Sequence, residues 1–158
     1  MTRRMLWGAV SLVVLGVALG FYKTFQAPDD LWIITQKFPG CPSRPSCVSS
    51  VAQDDVHKVE PLRYAGDAAA ARQKLEQVIR RMQLTRIEHA TPEYLHVVFQ
   101  TPTMHFHDDV ELLVQAGGLI QVRSISRFGY GDRGVNRARV EAIREALVKK
   151  DAQMEIGL

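Results

Sequence analysis

Residues 110–122 read Val110-Glu111-Leu112-Leu113-Val114-Gln115-Ala116-Gly117-Gly118-Leu119-Ile120-Gln121-Val122. Val110, Leu112 and Val114 recur at every second position, the period of a strand with one face turned to a core. Gly117-Gly118 supplies the positive backbone angles of a tight hairpin turn, and Ile120 and Val122 resume the alternation on the returning strand. Upstream, Leu95, Val97 and Phe99 alternate in the same way, as do Thr85, Ile87 and His89, with Pro92 separating the two runs as a second hairpin turn. Asp67 caps a helix running to residue 81 or 82, which places Ala71, Leu75, Val78, Ile79 and Met82 on one face. A last helix over about residues 135–149 turns Val140, Ile143 and Leu147 inward, and residues 57–64 add an edge strand. The expected fold is α+β: an antiparallel sheet of about four to five strands with helices on one face, over residues 56–151.

The densest polar constellation falls on and just beyond this hairpin. It comprises Asp108, Asp109, Arg123, Ser124, Ser126, Arg127, Asp132, Asn136 and Arg137. Strand alternation places Ser124 and Ser126 on the core face with Ile120 and Val122, and Arg123 and Arg127 on the other. The ladder brings Asp109 or Glu111 near an arginine across the hairpin. In one reading the arginines, the hydroxyls and the start of the last helix converge on an anion, since backbone donors and guanidinium forks suit phosphate or carboxylate. In the other, Asp108, Asp109 and Asp132 pair with the arginines and Asp132 or Asn136 caps the helix. His105, His107 and Asp109, if all in one strand, would face the same way as a three-ligand metal set, but no further ligand can be named and no metal is expected. Gly129-Tyr130-Gly131-Asp132-Arg133-Gly134 spells a dinucleotide-binding motif in letters only, because no second βα unit follows it.

The first part of the 158-residue chain reads differently. Residues 5–22 form an 18-residue run without charge or proline, long enough as a helix to span about 27 Å of hydrocarbon. Trp7 sits at one end and Phe21 and Tyr22 at the other, where amphipathic rings favour headgroup level. Bulky residues follow the run, with no small-residue cleavage site, so residues 1–23 read as an uncleaved signal-anchor. Arg3 and Arg4 precede it, which orients the remainder to the periplasmic side of the inner (plasma) membrane as a single-pass protein.

The formal charge of +3 comes from Arg3, Arg4 and Lys23; the rest of the chain carries 17 basic and 17 acidic groups. A nucleic-acid partner is therefore not expected. Residues 24–55 read as a linker and docking segment in which Leu31-Trp32-Ile33-Ile34 is too apolar to be free. Within it Cys41 and Cys47 flank two prolines; in an oxidising compartment they form a disulfide, with free thiols or metal and redox chemistry as the alternatives.

The stretches Asp108-Asp109-Val110-Glu111, RSxSRxGxxDxGxNxxR from Arg123, and CPSRPSCVSS from Cys41 resemble the bacterial and plastid family known as domain of unknown function 1499. The resemblance covers about residues 41–147. It implies shared motif positions at Cys47-Val48-Ser49-Ser50, Asp108, Asp109, Arg123, Ser124, Ser126, Arg127, Gly129, Asp132, Gly134, Asn136 and Arg137, and it brings no catalytic assignment and no cofactor. The chain departs from the pattern at Thr103-Met104-His105. The functional expectation is a membrane-tethered envelope protein that binds an anionic or lipid-like ligand or an envelope protein partner. The alternative is a hydrolase or transferase using the Asp/Arg/Ser cluster at 108–137, although no GxSxG nucleophile elbow is present.

Overall fold

Ten elements follow in order: α1 (Arg3–Phe25), α2 (Trp32–Thr35), β1 (Cys47–Ser49), β2 (Leu62–Arg63), α3 (Ala68–Arg81), β3 (Thr85–Ala90), β4 (Tyr94–Gln100), β5 (His107–Gln115), β6 (Leu119–Ser126) and α4 (Val135–Ile156). The structure, a computed structural model, describes residues 3–156, and for residues 3–6, 21, 23–25 and 150–156 it describes the backbone alone. The side-chain expectations on Arg3, Arg4, Phe21 and Lys23 lie outside the described residues.

The strands form one six-stranded antiparallel sheet in the order β1-β6-β5-β4-β3, with β2 also pairing to β6. The expected hairpin is present, with Asp108 opposite Ser126, Glu111 opposite Arg123 and Gln115 opposite Leu119. Both turn glycines have positive φ, and a Cβ on Gly118 would lie 2.9 Å from the Tyr64 carbonyl oxygen. That position therefore excludes every other residue on two counts.

α3 and α4 cover one face of the sheet. Leu75, Val78 and Ile79 from α3 and Val140, Ile143 and Leu147 from α4 pack on Leu95, Val97, Phe99, Val110, Leu112, Val114, Ile120 and Val122. Each of these side chains removed from water contributes about 1.5–3 kcal/mol. Asp67 caps α3 by accepting from the Ala70 backbone N–H at 2.8 Å, so Asp67→Ala is expected to lower stability by about 1 kcal/mol in a urea titration.

Sequence periodicity overlooks one strand. Residues 24–55, expected as linker and docking segment, contain β1, which pairs Cys47 with Ile125 and Ser49 with Arg123. Three residues are too few for an alternation to register, and all three are buried. β2 is likewise shorter than the edge strand expected over 57–64. At the other margin, β3 is largely exposed and its register shifts between Ile87 and His89; Arg86 and Glu88 form an ion pair there.

Among the described residues no helix is long and apolar enough to cross a membrane.

Candidate functional site

The second face of the sheet carries Tyr94, His96, Asp109, Glu111, Arg123 and Arg127, and it is buried by the chain that follows α1. Leu31 is 2% exposed, and the Trp32 ring stacks at a tilt on Tyr94 with centroids 4.9 Å apart. This lid explains why charged side chains on the face opposite the helices are nevertheless out of water.

Glu111 is the lid's anchor. One carboxylate oxygen accepts from the Tyr94 hydroxyl and from the Trp32 backbone N–H, both at 2.8 Å. The other accepts from Arg123 at 3.1 Å. The same guanidinium donates to both oxygens of Asp30 at 3.0 and 2.9 Å. Arg123 thus bridges a buried carboxylate in β5 to a half-exposed one in the lid. Burial, reinforced by the negative charge of Glu111, raises the Tyr94 pKa far above its ordinary value, so the phenol stays a neutral donor.

A second pair lies beside it. Asp109 accepts from the Arg127 Nε at 2.7 Å, from its terminal nitrogen at 2.8 Å, and from the His96 Nε2 at 2.7 Å. Burial opposes ionisation of Asp109, but the Arg127 and His96 hydrogen bonds outweigh it and hold the carboxyl below its usual pKa. Because His96 Nε2 faces a carboxylate, it carries the proton. The buried Nδ1 has no hydrogen-bond partner among the described residues, and the ring stacks on His89 at 5.7 Å.

The remaining predicted residues are on the other side. Ser124 donates to the Asn136 side-chain oxygen at 2.6 Å, and the Asn136 amide donates to Ser126 at 2.9 Å and to the Ser46 carbonyl at 3.1 Å. Asp132 caps α4 through the Asn136 backbone N–H at 2.7 Å. Arg137 donates to the carbonyls of Lys58 and Val56. The sheet therefore divides the nine residues: Asp109, Arg123 and Arg127 lie on the lid side, Asp108, Ser124 and Ser126 lie on the α4 side with Asn136 of that helix, and Asp132 and Arg137 lie at the helix start. The serine hydroxyls do not share a face with His96 and Asp109, so they form no nucleophile–base pair with them.

Arg139 completes the helix-side network, and the sequence reading placed Arg137 there instead. Arg139 donates to Asp108 at 2.5 Å, to Asn136 at 2.7 Å and to Ser124 at 3.0 Å. The signal was present in the spacing NxxR, whose arginine lies three residues after Asn136. Asn136→Leu is expected to cost about 2–4 kcal/mol, because it strands two serines and Arg139 with apolar neighbours; a chemical denaturation curve checks it. His105 also departs from expectation. It sits in the loop before β5 with φ 53°, outside the ladder that carries His107 and Asp109. Among the described residues no three metal-ligating side chains group together.

Cys41 and Cys47 are joined as a disulfide. The loop they close holds Arg44, which donates to the Ser126 carbonyl at 2.6 Å and to the Gly129 carbonyl at 3.1 Å. Between this loop, the lid and the sheet lies a cleft of about 970 Å³, lined by Asp29, Asp30, Cys41, Arg44, Arg123 and Arg127 among others. Among the described residues Arg44 hydrogen-bonds to carbonyls and forms no ion pair, whereas Arg123 and Arg127 pair with carboxylates.

Among curated proteins none matches this sequence. The family described as "Protein of unknown function (DUF1499)" matches residues 37–147, which begin just before the disulfide and end at Leu147, the last core residue of α4. With Asp109, Glu111, the disulfide loop and the strand-to-helix turn all inside that match, the chain belongs to this family.

Proposed function

We propose that this protein is a binding module of the cell envelope, tethered to the inner membrane by residues 5–22 with its α+β domain on the periplasmic side, and that the cleft beside Arg44 takes an anionic group of a ligand or partner. The cleft is the observation that carries this reading. It is large enough for a phosphate or carboxylate with its attached group, it opens next to the end of α1, and it presents the Arg44 guanidinium, which among the described residues forms no ion pair. Arg123 and Arg127 stand on the same wall, each paired with a carboxylate. The apolar run, the arginines before it and the disulfide support the placement.

Native mass spectrometry of the full-length chain, extracted from its own membranes in mild detergent, tests the proposal. We expect an added mass that survives mild activation on the wild-type protein and falls at least several-fold in Arg44→Ala. A bare mass for both, or an adduct indifferent to the substitution, overturns the assignment of the cleft. The same spectrum reads the retained anchor directly, as the mass of the chain.

A further inference from the structure

Among the described residues eight large apolar side chains outside α1 are well exposed; three of them, Met104, Phe128 and Tyr130, belong to two loops at one end of the sheet, and a fourth, Val135, opens α4 beside them. Tyr130 is 78% exposed. The rings of Phe106 and Phe128 meet at 5.2 Å, and Met104, Phe106, Phe128 and Val135 line a shallow cavity of about 480 Å³ that opens outward. Apolar surface gathered in this way on a single domain marks a docking surface.

α1 identifies what docks there. From residue 7 to residue 19 the helix is exposed throughout; Gly20 is the first position shielded by the domain. It is shielded by Phe128, whose Cε2 would lie 3.3 Å from a Cβ at that position. The domain thus touches the helix within one turn of the end of its apolar run, and it does so through the aromatic loop itself. A helix that leaves a bilayer near Tyr22 holds Phe128 and its neighbours at headgroup depth, where Phe, Tyr and Met side chains lower their free energy by entering the acyl boundary.

We propose that the loops of residues 101–106 and 128–134 form a lipid-contacting face, seated on the same bilayer that carries α1, with Met104, Phe128 and Tyr130 inserted into its surface. This rests on the tethering proposed above. The face is separate from the Arg44 cleft but adjoins it, since Arg127 lines the cleft and the next residue, Phe128, belongs to the apolar loop.

The test uses the full chain in vesicles of phosphatidylethanolamine and phosphatidylglycerol. The native cysteines are paired, so a nitroxide attaches selectively to Tyr130→Cys or, as the reference, to Ala116→Cys. Ala116 lies in the β5–β6 turn at the far end of a nine-residue strand, about 27 Å away. At position 130 we expect collisions with oxygen to exceed those with a water-soluble nickel complex several-fold, and at position 116 the reverse. Equal, water-like accessibility at both positions, in protein that alkaline carbonate does not strip from the vesicles, overturns the lipid face and leaves the tether standing. A label at 130 reached by neither agent means that protein covers it, and also overturns the proposal. Protein stripped by carbonate overturns the tether and this inference together.

Discussion

Glu111→Ala is expected to lower the unfolding free energy by about 3–5 kcal/mol, the range for removing one member of a buried ion pair. Glu111 and Arg123 are each 1% exposed, so the substitution leaves a guanidinium in the interior with only the half-exposed Asp30 to balance it. The Tyr94 hydroxyl and the Trp32 N–H lose their acceptor at the same time. Because Trp32 is bound through that N–H, its emission should shift to longer wavelength before the sheet itself unfolds, reporting release of the lid. Urea denaturation followed by far-ultraviolet circular dichroism and by fluorescence separates the two events. Glu111→Gln keeps an acceptor for Tyr94 and Trp32 and should lose less. A loss below about 1 kcal/mol for Glu111→Ala would place the pair with solvent-exposed ones and would remove the lid's anchoring from the account.

Asp109 is expected to make the fold acid-sensitive. Its carboxyl has a folded-state pKa below the ordinary value of 3.8 because Arg127 and His96 bind the charged form against the opposing effect of burial. The unfolded chain therefore takes up the proton first as pH falls. The contribution of Asp109 is complete above about pH 4 and is lost as the pH drops through the lower, folded-state value. Asp109→Asn should remove this part of the acid slope and cost about 3–5 kcal/mol at neutral pH, since Arg127 is left buried beside a neutral amide. Unfolding midpoints between pH 2 and 7 for the two proteins check both statements. Parallel profiles would show that another carboxylate carries the acid transition.

The hairpin and the two helix faces were legible because each rests on a period longer than one turn or one pleat; the register across the hairpin, with Glu111 opposite Arg123, was not, because alternation alone does not choose between Asp109 and Glu111. Val110 to Val122 and Leu75 to Ile79 write their burial into spacing. The division of the polar cluster was legible as well, because Ser124 and Arg123 must point to opposite faces of β6. What alternation does not contain is the environment of the second face. Nothing in the spacing of Tyr94, His96, Asp109 and Glu111 says that they are under a lid, because the lid is a non-periodic segment more than sixty residues upstream, held by Asp30, Leu31 and Trp32. The same holds for β1: Cys47-Val48-Ser49 is a strand only because β6 offers it an edge. Arg139 was missed for a different reason: the NxxR spacing pointed to it, but Arg137 stands beside it at the same helix start and was taken in its place, and the Asp108 carboxylate engages Arg139.

The two margins of the sheet have unequal consequences for self-association. On the β6 side, β1 is closed off by the chain at residues 57–59, with the Ser49 N–H given to the His57 carbonyl and the Val59 N–H returned to the Ser49 carbonyl. Among the described residues β3 has no such cover, and a bare margin invites a second copy to extend the sheet. The displaced register at Ile87–His89 and the Arg86–Glu88 pair interrupt its row of donors and acceptors and put charge beside it. A neighbouring molecule would therefore have to match a kinked, charged template. Crowding many copies on one surface should leave them as separate domains rather than a continuous ribbon.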